Sequence, residues 1–292
     1  MPKLSDVRRA LDELYPPAWA ESWDAVGLVC GDPEAEVDRV LFAVDPVQAV
    51  VDEAVAFGAQ LLVTHHPLYL RGTTTVAADT FKGRVVHTLI RQGVGLLVAH
   101  TNADHADPGV SDALAEAVGL RITGPLIADP TDPAGRRGTG RIGELPAPEP
   151  LAAFAARVAA GLPATAQGVR VAGDRDRPVH RVAVCGGSGD SFFAAVRESG
   201  VDAYVTADLR HHPASEAREA ASEGRPALVD AAHWATEWPW LRSAESALLA
   251  VSEKHGWGLE TRVSTHVTDP WTTHAPMPFA EPTVSAPDQP TA

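Results

Sequence analysis

Three apolar runs in this chain each stop at a polar island, and this repeated layout restricts the fold more than any other feature. LLVTHHP reaches His65 and His66, LLVAHTNAD reaches His100 and Asp104, and LVDAAHWATE reaches His233 and Glu237. A short continuous apolar run suits a strand buried on both faces, as in a parallel sheet covered by helices. Open sheets of that kind bind ligands beyond the carboxyl ends of their strands. All three islands fall at such ends.

The segments between the islands support an α/β class with mostly parallel or mixed sheets. Val40 to Val44 reads as a strand. Val47, Val50, Val51, Ala54 and Val55 recur at helical spacing, and Gly58 closes that helix. Leu61 to Thr64 and Val94 to Ala99 read as strands, with a helix through Val85, Val86, Leu89 and Ile90 stopped by Gly93. Ser111 is a candidate N-cap for a helix running to Gly119. Residues 124–150 are rich in Gly, Pro, Asp and Arg and read as a connection, followed by a helix from Leu151 to Ala160. Strands at Val179 to Val184, Val201 to Thr206 and Ala227 to Val229 then repeat the layout, with a Gly186–Gly189 turn and a helix from about Ser191. The expected division is a first α/β half over 1–124, a connection and helix over 125–178, and a second α/β half over 179–271. Residues 272–292 carry five prolines and few large apolar groups, which predicts a disordered or loosely docked tail.

Composition limits the partners. With 24 basic and 38 acidic side chains the net charge is −14, which disfavours nucleic acid. No apolar run approaches the ~20 residues of a membrane span, and the amphipathic start MPKLSDVRRALDEL lacks a signal core. Cys30 and Cys185 lie in apolar settings without a CxxC, which fits two inert thiols in a cytoplasmic protein.

The islands carry metal-ligand chemistry. His65 and His66 are adjacent at a strand end, and Pro67 holds His66 extended, so both rings can reach one cleft. Asp104 offers a carboxylate, and His100 serves as a ligand or as a partner that orients one. Asn102 is a candidate contact for substrate or water, or else caps the strand. His233 and Glu237 stand at i and i+4, on one face if a helix begins there. The imidazole and carboxylate mixture suits Zn²⁺, Mn²⁺, Fe²⁺, Co²⁺ or Ni²⁺. Asp208, His211 and His212 follow another strand and are candidates for the same cleft. His105 and Asp107 read as solvated loop residues, and Trp234, Trp238 and Trp240 as packing. Gly186–Gly189 matches no phosphate-binding pattern, and Ser188 lacks the frame of a nucleophile elbow.

WDAVGLVCGD, LLVTHHPL, HTNAD, GRIGELP, VAVCGGSG, DAYVTADLRHH and DAAHWATE occur in that order. Together they resemble the Nif-three-like family of dinuclear metal-centre proteins, the GTP cyclohydrolase I type-two homologues, over about Leu4 to Trp271. The resemblance implies two intertwined α/β domains with two divalent ions in the cleft between them. It implies His65, His66, Asp104, His233 and Glu237 as ligands, Glu237 bridging, and His100 just outside. It also implies a homohexamer, a trimer of dimers. Ala207 stands where Gly or Ser is usual, Ala232 where Gly is usual, and Val29-Cys30 where Gln-Val is common. The usual Thr near the start of VDPVQAVVDEA is missing. The expected activity is metal-dependent hydrolysis of a nucleotide or small phosphate-containing substrate, GTP among them, with His100 and Glu237 as catalytic residues. The rival readings are a non-catalytic metal carrier and a regulatory protein whose ions only hold the domains together.

Overall fold

The computed structural model describes residues 1–275. Helix α1 (Leu4–Leu14) precedes a first α/β run: β1 (Gly27–Cys30), β2 (Arg39–Ala43), α2 (Gln48–Phe57), β3 (Leu61–Thr64), α3 (Phe81–Gln92) and β4 (Gly95–Val98). Gly58 and Gly93 end α2 and α3 in the left-handed conformation, as the sequence predicts. Short helices α4 (Thr101–His105) and α5 (Val110–Ala117) follow. The second run comprises β5 (Arg121–Ala128), β6 (Gly138–Pro150), α6 (Leu151–Gly161), β7 (Arg170–Ala172), β8 (Pro178–Ser188), α7 (Phe193–Ser199), β9 (Ala203–Ala207), α8 (His211–Glu219) and β10 (Ala227–Ala231). The long helix α9 (His233–His255) and the strand β11 (Glu260–Val263) complete it.

Two mixed sheets result. The first has the order β1-β4-β3-β2-β11, parallel except for β1; the second runs β5-β6-β8-β9-β10-β7, parallel only across β8, β9 and β10. β11 pairs with β2, so the last strand among the described residues closes an edge of the first sheet. Successive residues of β3 serve opposite layers. Leu61 and Val63 face the large core that also holds Val182, Val205 and α9, whereas Leu62 faces α2 and α3. No residue of β3 exceeds 1% exposure; each such apolar side chain contributes about 1.5–3 kcal/mol.

Several expectations are corrected. Residues 124–150 are no connection, because β5 and β6 form an antiparallel ribbon along the edge of the second sheet. Gly109, not Ser111, caps α5: a Cβ at 109 would meet Ala103 O at 2.4 Å, and Asp112 accepts from the Gly109 amide. β8 continues through Gly186 and Gly187 to Ser188, where a turn was expected; a 3-10 turn over Asp190–Phe192 then leads into α7, close to the expected start. Strands β1, β7 and β11 were not foreseen. Of the expected tail, residues 276–292 lie outside the described residues. No described helix is long and apolar enough to cross a membrane.

Candidate metal centre

The three islands meet. His65 and His66 follow β3, and their amides extend its ladder to Ala43 O and Val44 O. Their ring centroids lie 5.1 Å apart, because the strand ends there and no longer sends neighbours to opposite faces. His100 caps α4, which carries Asp104 in its first turn. α9 starts at His233 and brings Glu237 onto the same face, with His233 Nε2 2.9 Å from Glu237 Oε1. Ala232, where a glycine is usual, has φ −72° and ψ 138°, which any residue adopts.

Each imidazole is tethered through Nδ1. His65 Nδ1 donates to Ala99 O at 3.0 Å, and His66 Nδ1 to Asp45 at 2.7 Å. His100 Nδ1 donates to Asp24 at 2.9 Å, and His233 Nδ1 to Asp208 at 2.7 Å. Because each partner only accepts, Nδ1 carries a proton and Nε2 is the nitrogen left for a metal. The Nε2 atoms converge on Glu237: His65 Nε2 is 3.5 Å from Oε1, and His66 Nε2 3.0 Å from Oε2. These approaches are not aligned as hydrogen bonds. Glu237 Oε2 and His65 Nε2 are buried with no hydrogen-bond partner among the described residues.

Ligand atoms of His65, His66 and His100 lie within 4.8 Å of one another, as do those of His66, His233 and Glu237. Either group could hold a cation, and His66, with Nδ1 tied to Asp45, offers a single nitrogen to one of them. Histidine ligands tethered through the other nitrogen to carboxylates or carbonyls are the usual support of a metal site. His100 therefore sits at ligand range, closer in than expected. Asp104 falls in neither group, although its Oδ1 is 3.8 Å from His65 Nε2.

The electrostatics follow from this crowding. Burial alone would raise the Glu237 carboxyl, but His233, His66 and His65 hold it well below the usual range. Burial opposes charge on His66, yet Glu237 and Asp45 push it up to about 10. Glu237, resisted by burial and joined by Asp208, lifts His233 to about 11. Burial raises the Asp104 carboxyl against the pull of His65 and His100. Asp24 is held down: burial opposes this, but hydrogen bonds from His100 and Thr101 outweigh it.

The centre opens into a cleft of about 500 Å³ between the sheets, bordered by Trp23, His105, Thr139, Ser188 and Phe192. Gly187 at the end of β8 has φ +66°, and a Cβ there would lie 2.5 Å from Glu237 Oε1. A side chain at this position would fill the space beside the carboxylate. Beneath the cleft, buried Arg141 donates to Asp112 and to three backbone carbonyls, joining β6 to α5.

The family model of Duf34/NIF3 (NGG1p interacting factor 3) matches residues 2–270. The chain belongs to the Duf34/NIF3 family. A Streptomyces coelicolor protein named GTP cyclohydrolase 1 type 2 homolog is 65% identical, spanning 94% of this chain and 95% of its own. A Mycobacterium bovis protein of the same name is 42% identical, with 92% and 96% covered. The crystal structure of Staphylococcus aureus hypothetical protein SA1388 has a TM-score of 0.83 at 28% identity, covering 94% of this chain and 100% of that one. A Bacillus cereus protein related to NIF3 has a TM-score of 0.85 at 24% identity, covering 94% and 99%, and bears on the fold alone. The mixed α/β architecture of two sheets is thus that of NIF3-related proteins.

Other candidate residues divide. Asp208 belongs to the centre, but His211 and His212 are exposed at the start of α8 and border no part of the cleft. Asn102 is spent internally, accepting from the His100 amide and donating to Tyr15 O. His105 is not a solvated loop residue: it bridges Trp19 O and Thr139. Asp107 pairs with Arg136 at 2.7 Å. Trp240 packs against Tyr15 and His65. Both cysteines are free, and burial pushes the Cys185 thiol up to about 12, which makes it inert at neutral pH. Sequence reasoning missed Asp24 and Asp45. The only available signal was that any ligating imidazole needs an acceptor for its second nitrogen.

Proposed function

We propose that this chain is a metal-dependent hydrolase holding two divalent ions, one by His65 with Asp104, the other by His66 with His233, and Glu237 offered to both. The observation that carries this reading is the set of tethered imidazoles whose Nε2 atoms crowd a buried carboxylate without hydrogen-bonding it. Bound ions of this kind lower the pKa of a water toward neutrality and polarise an electrophilic oxygen. Glu237, with an oxygen toward each group, is the residue proposed to span both. Asp24 fixes the His100 ring so that its Nε2 faces the cleft. His100 and Asp104 are the groups proposed to accept or return a proton there.

The substrate is proposed to be a nucleotide or a small phosphate-containing molecule, and the name carried by the relatives makes GTP the first to test. The residues bordering the cleft include no Lys or Arg. This favours a small substrate over a triphosphate, which would find no cationic side chain there. A homohexamer in the cytoplasm is proposed with it, supported by the resemblance and by the two free thiols. Light scattering checks the assembly.

The test is turnover by metal-reconstituted protein against GTP, other nucleotides and small phosphoesters. Wild-type protein should hydrolyse at least one, and Glu237→Gln should not. No turnover by fully loaded protein sinks the hydrolase reading and leaves a metal carrier.

A further inference from the structure

The centre has a second opening. A cavity of about 250 Å³ is bordered by His66 and His233 on one side and by the segment around Thr268–Trp271 on the other. It shares only His233 with the larger cleft. Asp45, Asp208 and Asp269 line it, and no Lys or Arg does.

Two of these carboxylates are committed. Asp45 takes the His66 ring on one oxygen and the Thr268 hydroxyl on the other. Asp208 takes the His233 ring. Asp269 differs. The residue is only 8% exposed, and its Oδ2 is buried with no hydrogen-bond partner among the described residues. A carboxylate oxygen in that condition is costly and calls for a missing ion or water.

Its position is fixed. The Ser264 amide donates to Phe42 O at 2.8 Å, and Trp238 Nε1 donates to Ser264 O at 2.9 Å. Thr268 then anchors the segment to Asp45, the same residue that orients His66. Asp269 is therefore held over the outer side of the two imidazoles.

We propose that Asp269, with Asp45 and Asp208, forms an acidic port through which divalent cations reach His66 and His233 without crossing the substrate cleft. The inference rests on the metal-centre reading above. Among the described residues, the only groups of three donors within 4.8 Å of one another are the two built on His66. The port carboxylates do not form such a group, so they attract a hydrated cation and pass it on rather than retain it. Asp45 and Asp208 are offset by the His66 and His233 rings they hold, so Asp269 supplies the excess negative charge of the opening, and its pull on cations weakens as ionic strength rises.

The experiment follows Co²⁺ uptake by chelator-stripped, full-length protein, read by the Co²⁺ absorption band and by tryptophan quenching. Asp269→Asn should slow uptake about tenfold at low salt, within the range such focusing supplies, while final cobalt content equals wild type. The wild-type rate should fall more steeply with salt than the variant rate. Trp271→Arg, at a residue 64% exposed, should also slow uptake without disturbing the fold. Glu21→Gln, on the rim of the larger cleft, should leave the rate unchanged. Wild-type rates in both port variants overturn the proposal, as does slowing confined to Glu21→Gln. Wild-type protein that takes up no cobalt overturns the metal-centre reading, and the port with it.

Discussion

His65 Nε2 stands 3.5 Å from Glu237 Oε1 and has no hydrogen-bond partner among the described residues, although the ring is fully buried. A buried polar atom without a partner costs about 1–3 kcal/mol. Here the cost falls on a ring whose other nitrogen is deliberately held by Ala99 O. Glu237→Gln keeps the volume and removes the charge. It should weaken metal affinity by more than the ~10–100-fold typical of losing a supporting partner. Elemental analysis after dialysis against limiting metal measures this.

The tethers should matter individually. Asp208 has φ +56°, a conformation that Asn tolerates. Asp208→Asn should therefore fold normally yet lose about 10–100-fold in metal affinity, because the His233 ring no longer has a charged acceptor. Isothermal titration with Zn²⁺ or Mn²⁺ gives the ratio directly.

Metal-free protein should show an unusual pH profile. His66 and His233 sit at about 10 and about 11 when folded, against 6.5 when unfolded. The stability they contribute is whole below pH 6.5 and is lost as pH climbs through the folded values. Glu237 lies well below 4.5 when folded, so its contribution is whole above 4.5 and fades as pH falls. Thermal unfolding of stripped protein should peak between about pH 4.5 and 6.5. Metal affinity should rise with pH across the neutral range, because binding must displace a proton from His66 and His233.

Gly187→Ala adds one methyl group beside the centre. It forces a left-handed residue, costing about 1–2 kcal/mol, and places Cβ 2.5 Å from Glu237 Oε1. Both the melting temperature and the bound metal should fall. A variant that melts early yet retains full metal would contradict the close approach.

Arg141→Ala should cost about 3–5 kcal/mol, since it strands Asp112 in a buried site. Urea unfolding measures the loss. Asp112→Asn, which leaves a hydrogen-bonding partner, should cost less.

The sequence was most readable where strands are buried on both faces. The expected bounds of β3 match the observed ones, because LLVT has no charged or exposed position to mislead. The glycine stops of α2 and α3 were equally plain. β5 and β6 were hidden because they carry Gly and Pro and shift register near Ile122 and again after Glu144. β11 was hidden because ETRV leaves every second residue exposed to at least a third. The ligand candidates were visible because each follows a continuous apolar run. Asp24 and Asp45 looked like ordinary loop acids, and Arg141 like an ordinary surface cation. Their purpose lies in partners that are remote along the chain, which local pattern does not encode.

Strand β11 pairs with β2 across more than two hundred residues of chain. A polypeptide still emerging from the ribosome can assemble β1 to β4 early, but β2 waits for this neighbour until more than two hundred further residues have been made. The α9 helix that supplies His233 and Glu237 is made just before that neighbour. A product cut short before His233 thus has neither a finished sheet nor a complete set of donors, and one stretch of chain from His233 to Val263 supplies both.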